Sequence, residues 1–230
     1  MIRTAVDGAV RTVTLDCPDR RNALTVSGLD DLKTAIEAAT APVVYLHGAG
    51  EAFCAGADLE TVAGLAGDEA EAFARRGQAV AETIAAYDGA VVAGIDGPAR
   101  GGGVELALAC DVRVATSDAT MAETGVTIGL FGSWGGTVRL PEVVSHGEAM
   151  DIALSGRTLD ADEACRIGLV SRIVDEPRAV AAEIAANDAS AVRTIKARVR
   201  DDADRETQED REARAFARLI EGFDPDNRNG

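Results

Sequence analysis

Apolar positions recur with two different periods along this chain. Two short strand-like runs flank Asp7 and Gly8, and Asp-Gly between apolar alternations predicts a hairpin. A turn-rich segment, CPDRRNALT, follows. Leu29, Leu32 and Ile36 then share one helical face, with Ser27 predicted as the N-cap. PVVYLHG (42–48) and AVVAGIDG (90–97) are short continuous apolar runs ending in glycine, the pattern of strands buried on both faces. Between them a helix is predicted from Asp68 to Tyr87, with Phe73, Val80, Ile84 and Tyr87 facing inward. DVRVATSDA (111–119) reads as a strand and a turn. TLDADEACRIGLV (158–170) reads as a helix capped by Asp160, with Glu163 three residues on and Gly168 near its end. VSRIV (170–174) reads as a strand. Phe216, Leu219, Ile220 and Phe223 form a final stripe at helical spacing, and the polar tail DPDNRNG is expected to fray. Strands lead and helices dominate the last third, so an α/β core over 1–175 with a helical region over 176–230 is expected.

Two of the buried runs end in small residues. GAGEAFCAGADL (48–59) follows the first and GPARGGGVEL (97–106) the second. Glycine and alanine leave backbone N–H groups open, and a helix N-terminus adds unpaired donors with a partial positive charge. Two such exits side by side can aim two N–H groups at one oxygen and stabilise an oxyanion. Glycine-rich turns after strands also serve simply as corners, and Glu105 in a first helical turn is also explained by capping. A dinucleotide fingerprint fails, because GAGEAF puts Phe53 where the third glycine belongs.

Composition narrows the partners. Apolar residues make up 47% of the 230 positions, enough for one globular core. Aromatics are only 3% and the formal charge is −16, which together exclude base stacking and a polyanionic partner such as nucleic acid. Cys17, Cys54, Cys110 and Cys165 form no CxxC pair, the usage of a reduced, cytoplasmic protein. His47 and His146 belong to no metal-ligand pattern, so no metal is expected. The opening, MIRTAVDGAVRTVTL, lacks the apolar core of a signal peptide, and no stretch is long and apolar enough to imply a membrane partner.

Taken in order, PDRRNALT (18–25), AFCAGADL (52–59), GPARGGGVELALACDVRVA (97–115), GLFGSWGGTVRL (129–140) and SGRTLDADEACRIGLVSRIV (155–174) resemble the crotonase superfamily, the enoyl-CoA hydratase/isomerase proteins. The resemblance implies a spiral of repeated ββα units, a C-terminal helical region that trimerises, and a homo-trimer or hexamer. It implies an acyl-CoA thioester as ligand, with coenzyme A as part of the substrate and no separate cofactor. The family's two oxyanion donors fall on the backbone of Ala57 and Gly102, and its first catalytic glutamate on Glu105. The coenzyme A adenine is expected near Ala55 in the loop that also holds Asp58. Arg20 and Arg21 are expected near the phosphates, although both also read as ordinary solvated charge.

The sequence departs from the family where the hydratases carry a second glutamate, in F-x-x-P-E-x-x-x-G-L. Here MAETGVTIGL (121–130) puts Gly125 at the glutamate and Thr124 at the proline. Glu123 stands two positions early. It substitutes for the missing group if the segment is extended; otherwise it is solvent-exposed or capping. Gly125 also reads as room for a bulkier substrate, a water or a small anion. Gly132 and Ser133 replace the usual Pro-Gly, with Trp134 next to the ligand pocket. Family members usually continue into a final helix over the acyl site; with the sequence ending at Gly230, a short lid or one from a neighbouring subunit is expected. The reading is hydratase-like chemistry. Isomerisation, decarboxylation, carbon–carbon bond formation of the dihydroxynaphthoyl-CoA synthase type, and acyl-CoA binding without efficient turnover remain as alternatives.

Overall fold

The computed structural model describes residues 1–223; the tail expected to fray lies outside them. Strands β1 (Ile2–Asp7) and β2 (Val10–Leu15) form the predicted hairpin, with Gly8 in the left-handed region at φ 57°. Helix α1 (Val26–Glu37) leads to β3 (Val43–Gly48). The N-cap of α1 is Thr25 rather than Ser27. Thr25 has the extended backbone a cap requires, and its hydroxyl accepts from the N–H of Gly28. Ser27 already lies inside the helix.

The chain continues through α2 (Leu59–Ala63), α3 (Asp68–Ala85), β4 (Ala90–Ile95), β5 (Pro98–Arg100), α4 (Gly102–Ala109), β6 (Val112–Ala115) and β7 (Thr120–Ala122). Helices α5 (Gly136–Val143) and α6 (His146–Ser155), β8 (Leu159–Asp160), α7 (Ala161–Arg166) and β9 (Arg172–Ile173) follow. The last helices are α8 (Pro177–Ala185), α9 (Ala189–Val199) and α10 (Arg205–Glu221). The helix expected over 158–170 is shorter than its pattern. Asp160 caps it as expected, accepting from Glu163, but Leu159 and Asp160 pair with β7 as a strand.

Six strands form the main sheet in the order β1-β2-β3-β4-β6-β9, parallel except at the β1 edge, and β5-β7-β8 form a second, small sheet. The continuous apolar runs have a direct cause: both faces of the main sheet are covered. In β3, Val44 and Leu46 enter the main core, whereas Val43 and Tyr45 face a second cluster with Val180 and Ala181 of α8. Strand β4 divides in the same way, Val91, Ala93 and Ile95 against Ala90 and Val92. The region 176–230 therefore shares the core through α8. Helix α9 is tied down by Lys196, whose ammonium donates to the carbonyls of Tyr87 and Gly89 and pairs with Asp111 at 2.9 Å. Helix α10 contributes only Ala215 to buried structure; Phe216, Ile220 and Phe223 of its predicted stripe face solvent.

Candidate active site

Two glycine-rich strand exits meet at one cleft. The first leaves β3 and is held from below by Asn22. This residue adopts a left-handed backbone at φ 58°, which asparagine tolerates better than most. Its amide donates to the carbonyls of Ala49 and Ala52, and its oxygen accepts from Cys17. The segment 17–22 is thereby fastened to the loop after β3. The Leu24 N–H then donates to Gly56 and the Asp58 N–H to the Leu24 carbonyl, bracketing Ala57. The N–H of Ala57 itself has no hydrogen-bond partner among the described residues.

The second exit leaves β5 and opens α4. Gly102 is the first residue of that helix, so its N–H is one of the donors that helix geometry leaves unpaired. Gly56 brings the two exits together. Its φ is 84°, and a β-carbon there would stand 2.9 Å from the Gly102 nitrogen, so only glycine allows the approach. Gly102 is constrained as well, since a β-carbon on it would run into the ring of Trp134. That ring is buried against Gly77 of α3, with Phe73 edge-on at 5.8 Å between centroids. Ala57 and Gly102 line the same cleft of about 440 Å³, together with Ala55, Glu105, Gly125 and Trp134.

Glu105 lies one turn into α4 and is only 2% exposed. Its Oε1 accepts from the N–H of Trp134 at 2.7 Å and from that of Gly136 at 2.6 Å. The carboxylate is therefore not a cap for its own helix; it ties α4 to the start of α5. Burial pushes its pKa above the ordinary glutamate range, while the N–H groups of Gly136 and Trp134 and the charge of Arg139 pull it back. Sequence reasoning picked out Glu105 but missed its two donors, because backbone amides leave no signature in side-chain type.

Glu123 is buried, and although it stands at the N-cap position of the following 3-10 turn its side chain makes no capping hydrogen bond. The segment after it, Thr124–Ile128, is a 3-10 turn rather than an extended strand, so the same-face argument for residues 123 and 125 does not apply. The side chain is 6% exposed, and neither carboxyl oxygen has a hydrogen-bond partner among the described residues. It stands beside Glu105: the carboxyl carbon of Glu105 and Oε2 of Glu123 each lie 3.0 Å from where a β-carbon on Gly132 would be. The two are thus within twice that distance of one another. Burial, reinforced by the neighbouring Glu105, pushes the Glu123 pKa up to about 8. Gly125 lines the cleft, although a β-carbon on it would meet the nitrogen of Phe131 at 3.1 Å.

The remaining predicted residues separate by partner. Asp58 caps α2, accepting from the N–H and hydroxyl of Thr61, and pairs with Arg20 at 2.8 Å. Arg20 also pairs with Glu60 at 2.9 Å. Arg21 is exposed, makes no ion pair among the described residues, and its carbonyl accepts from the N–H of Ala55. No group of three His, Cys, Asp or Glu placed to hold a metal ion occurs among the described residues. No helix among them is long and apolar enough to cross a membrane.

The mixed α/β architecture, with its C-terminal helical region, closely matches crotonase-fold enoyl-CoA hydratases. The chain belongs to the enoyl-CoA hydratase/isomerase family, whose sequence model matches residues 5–222. It is 36% identical over 191 residues to a crotonyl-CoA hydratase from Syntrophomonas wolfei, covering 78% of this chain and 74% of that one. It superimposes on an enoyl-CoA hydratase from Thermoplasma volcanium with a TM-score of 0.91 and 31% identity, covering 97% of this chain and 93% of the other. An enoyl-CoA hydratase from Bacillus anthracis gives 0.90 at 32% identity, covering 96% and 91%. Members named enoyl-CoA hydratases are lyases, and this chain is an enzyme of their family.

Proposed function

We propose that the protein acts on acyl-CoA thioesters as an enoyl-CoA hydratase, with the N–H groups of Ala57 and Gly102 holding the thioester oxygen. The observation that carries this reading is the single buried carboxylate of Glu105 in a cleft where two unpartnered backbone donors also lie. Polarising the carbonyl draws electrons from the β-carbon. Glu105 takes a proton from water, the hydroxyl adds to the β-carbon, and negative charge collects on the thioester oxygen. The same proton then passes from Glu105 to the α-carbon, so atoms balance with one acid–base group. Donors preorganised for such an oxygen are typically worth about 3–4 kcal/mol each. The raised pKa of Glu105 brings it closer to working pH and makes it a stronger base once ionised.

Within this reading the adenine meets the backbone near Ala55, and Arg21, which makes no ion pair among the described residues, is the cation offered to the phosphates. Arg20 is engaged with Asp58 and Glu60 and serves the loop instead. The solvent-facing Phe216 and Ile220 of α10, with Phe223 just beyond its end, support self-association into the homo-trimer or hexamer that the family resemblance implies. A second reading, allylic isomerisation, is favoured by the fact that Glu105 is the sole carboxylate lining the cleft among the described residues. One carboxylate suffices to move a proton between two carbons. Steady-state hydration of crotonyl-CoA by the wild type and by Glu105→Gln tests the proposal. A large loss in the variant is expected, and equal turnover would remove Glu105 from the mechanism.

A further inference from the structure

The two N–H groups that hold Glu105 belong to one short turn, 132–136, and that turn is itself held from outside the cleft. Trp134 and Gly136 donate to Oε1 of Glu105, and Gly135 between them has φ 109°. Arg139 follows in the first turn of α5. Side chains in a helix lean toward its N-terminus, and the guanidinium folds back over Gly135, where a β-carbon would run into it. It donates from Nη1 to the Trp134 carbonyl at 3.4 Å and pairs through Nη2 with Glu82 of α3 at 3.2 Å. Gln78, one turn earlier on α3, donates to the Ser133 carbonyl at 2.9 Å. The Arg139 side chain is 17% exposed. It does not line the cleft; with Glu82, Glu142 and Arg200 it lines a separate groove.

Neither helix stability nor ion pairing explains this placement. A cation is disfavoured in the first turn of a helix, where the dipole is positive. Glu82 is 72% exposed, so its pair with Arg139 contributes little to the fold. The carboxylate found at this helix end is Glu105, which accepts from the Gly136 N–H that opens α5. We propose that Arg139 is a positioning residue for the reaction: it clamps the turn that presents both donors to Glu105 and supplies that carboxylate with a nearby positive charge. The proposal rests on the reading above that Glu105 is the base. Among the described residues, the titratable groups facing Glu105 are Arg139 from α5 and Glu123 from the loop after β7. Arg139 favours the ionised form of Glu105, and Glu123, once ionised, opposes it. Glu82, Glu142 and Arg200 surround Arg139 in the groove.

The test compares wild type, Arg139→Met and Arg139→Lys on crotonyl-CoA across pH. Methionine fills the space with neither donor nor charge; lysine keeps the charge but loses the fork that reaches Trp134 and Glu82 together. In Arg139→Met, kcat should fall about tenfold or more, because the carboxylate is less well placed. KM should stay within about twofold of wild type, since the side chain does not touch the cleft. The acid limb of kcat/KM should move to higher pH by about half a unit or more, because ionised Glu105 has lost a stabilising charge. Arg139→Lys should return the limb to its wild-type position and restore part of kcat. Wild-type kcat or an unmoved limb in Arg139→Met overturns the proposal, as does a lysine variant displaced as far as the methionine one. Should Arg139→Met fail to fold, Arg139→Gln, which keeps a donor but no charge, must show the same shift of the limb. Carbon NMR of labelled glutamate, with the Glu105 signal assigned through Glu105→Gln, separates the two readings by following that carboxyl directly. A shifted titration in Arg139→Met without turnover of enoyl-CoA upholds the clamp and removes the hydratase. Turnover that depends on Glu105, with no shift, keeps the hydratase and removes the role of Arg139. Neither shift nor turnover removes both.

Discussion

Glu105 and Glu123 are two buried glutamates on either side of one glycine, yet the chain treats them in opposite ways. Glu105 is 2% exposed and receives two backbone N–H groups; Glu123 is 6% exposed and receives none. Burial raises both pKa values, but only Glu105 has hydrogen bonds and a nearby arginine to pull it back. Burial alone does not make a carboxylate catalytic. What separates the two carboxyl groups here is whether the ionised form has donors waiting for it. The N–H groups of Trp134 and Gly136 make Glu105 the one that ionises first, and they fix it at the cleft.

The strongest way to break this comparison is to change Glu105 itself. Glu105→Gln keeps an oxygen to accept from Trp134 and Gly136, so the fold should hold while turnover of crotonyl-CoA falls by about 10²–10⁴-fold. Glu105→Ala should lose the same activity and also leave two buried N–H groups unmet, at about 1–3 kcal/mol each. Denaturant melts beside initial rates distinguish the variants. If Glu105→Gln melted as poorly as Glu105→Ala, the two N–H bonds would not be what holds α4 to α5.

How far was this legible from the residues? The hairpin at Asp7-Gly8 and the Asp160 cap are local devices, and each shows in a few adjacent letters. The strands 43–48 and 90–95 were legible because covering both faces forces continuous apolar runs. Glu105, Ala57 and Gly102 came from small-residue exits and a family resemblance, and the structure brings all three to one cleft. The burial of Glu123 was not legible. It depends on a 3-10 turn at Thr124–Ile128 and on the loop 130–136 folding over it, contacts that no local pattern encodes. Thr25 was missed as a cap because two hydroxyl residues stand two apart, and only backbone geometry separates them. Asn22 was passed over within PDRRNAL for the same reason: its work is done on carbonyls some thirty residues away.

A methyl group placed against the held carboxylate sharpens the contrast. At Gly136 a β-carbon would stand 2.9 Å from Oε1 of Glu105, and this residue also supplies one of the two N–H bonds. Glu105 is restrained and has little freedom to yield, so Gly136→Ala should cost about 1–3 kcal/mol of stability. Moving the carboxylate should also lower kcat about tenfold or more, since small misplacements of a reacting group are expensive. A variant with wild-type melting and wild-type kcat would show that Glu105 is looser than its hydrogen bonds imply.

The last contrast concerns the carboxylate without donors. In the unfolded chain Glu123 ionises near the ordinary glutamate value of about 4.3, whereas in the folded protein it does so at about 8. Below the lower value both states carry the proton and Glu123 costs nothing. Between the two the folded state holds a proton that the unfolded state has released. Stability must then fall as pH rises, with the loss complete above the folded value. One proton limits the slope to about 1.4 kcal/mol for each pH unit. Glu123→Gln cannot ionise, so its stability should lack this decline, and the gap between variant and wild type should widen from pH 5 to pH 8. Urea melts at each pH measure it. Parallel stability curves for the two proteins would mean that Glu123 is ionised in the fold after all, and that some donor meets it there as Trp134 and Gly136 meet Glu105.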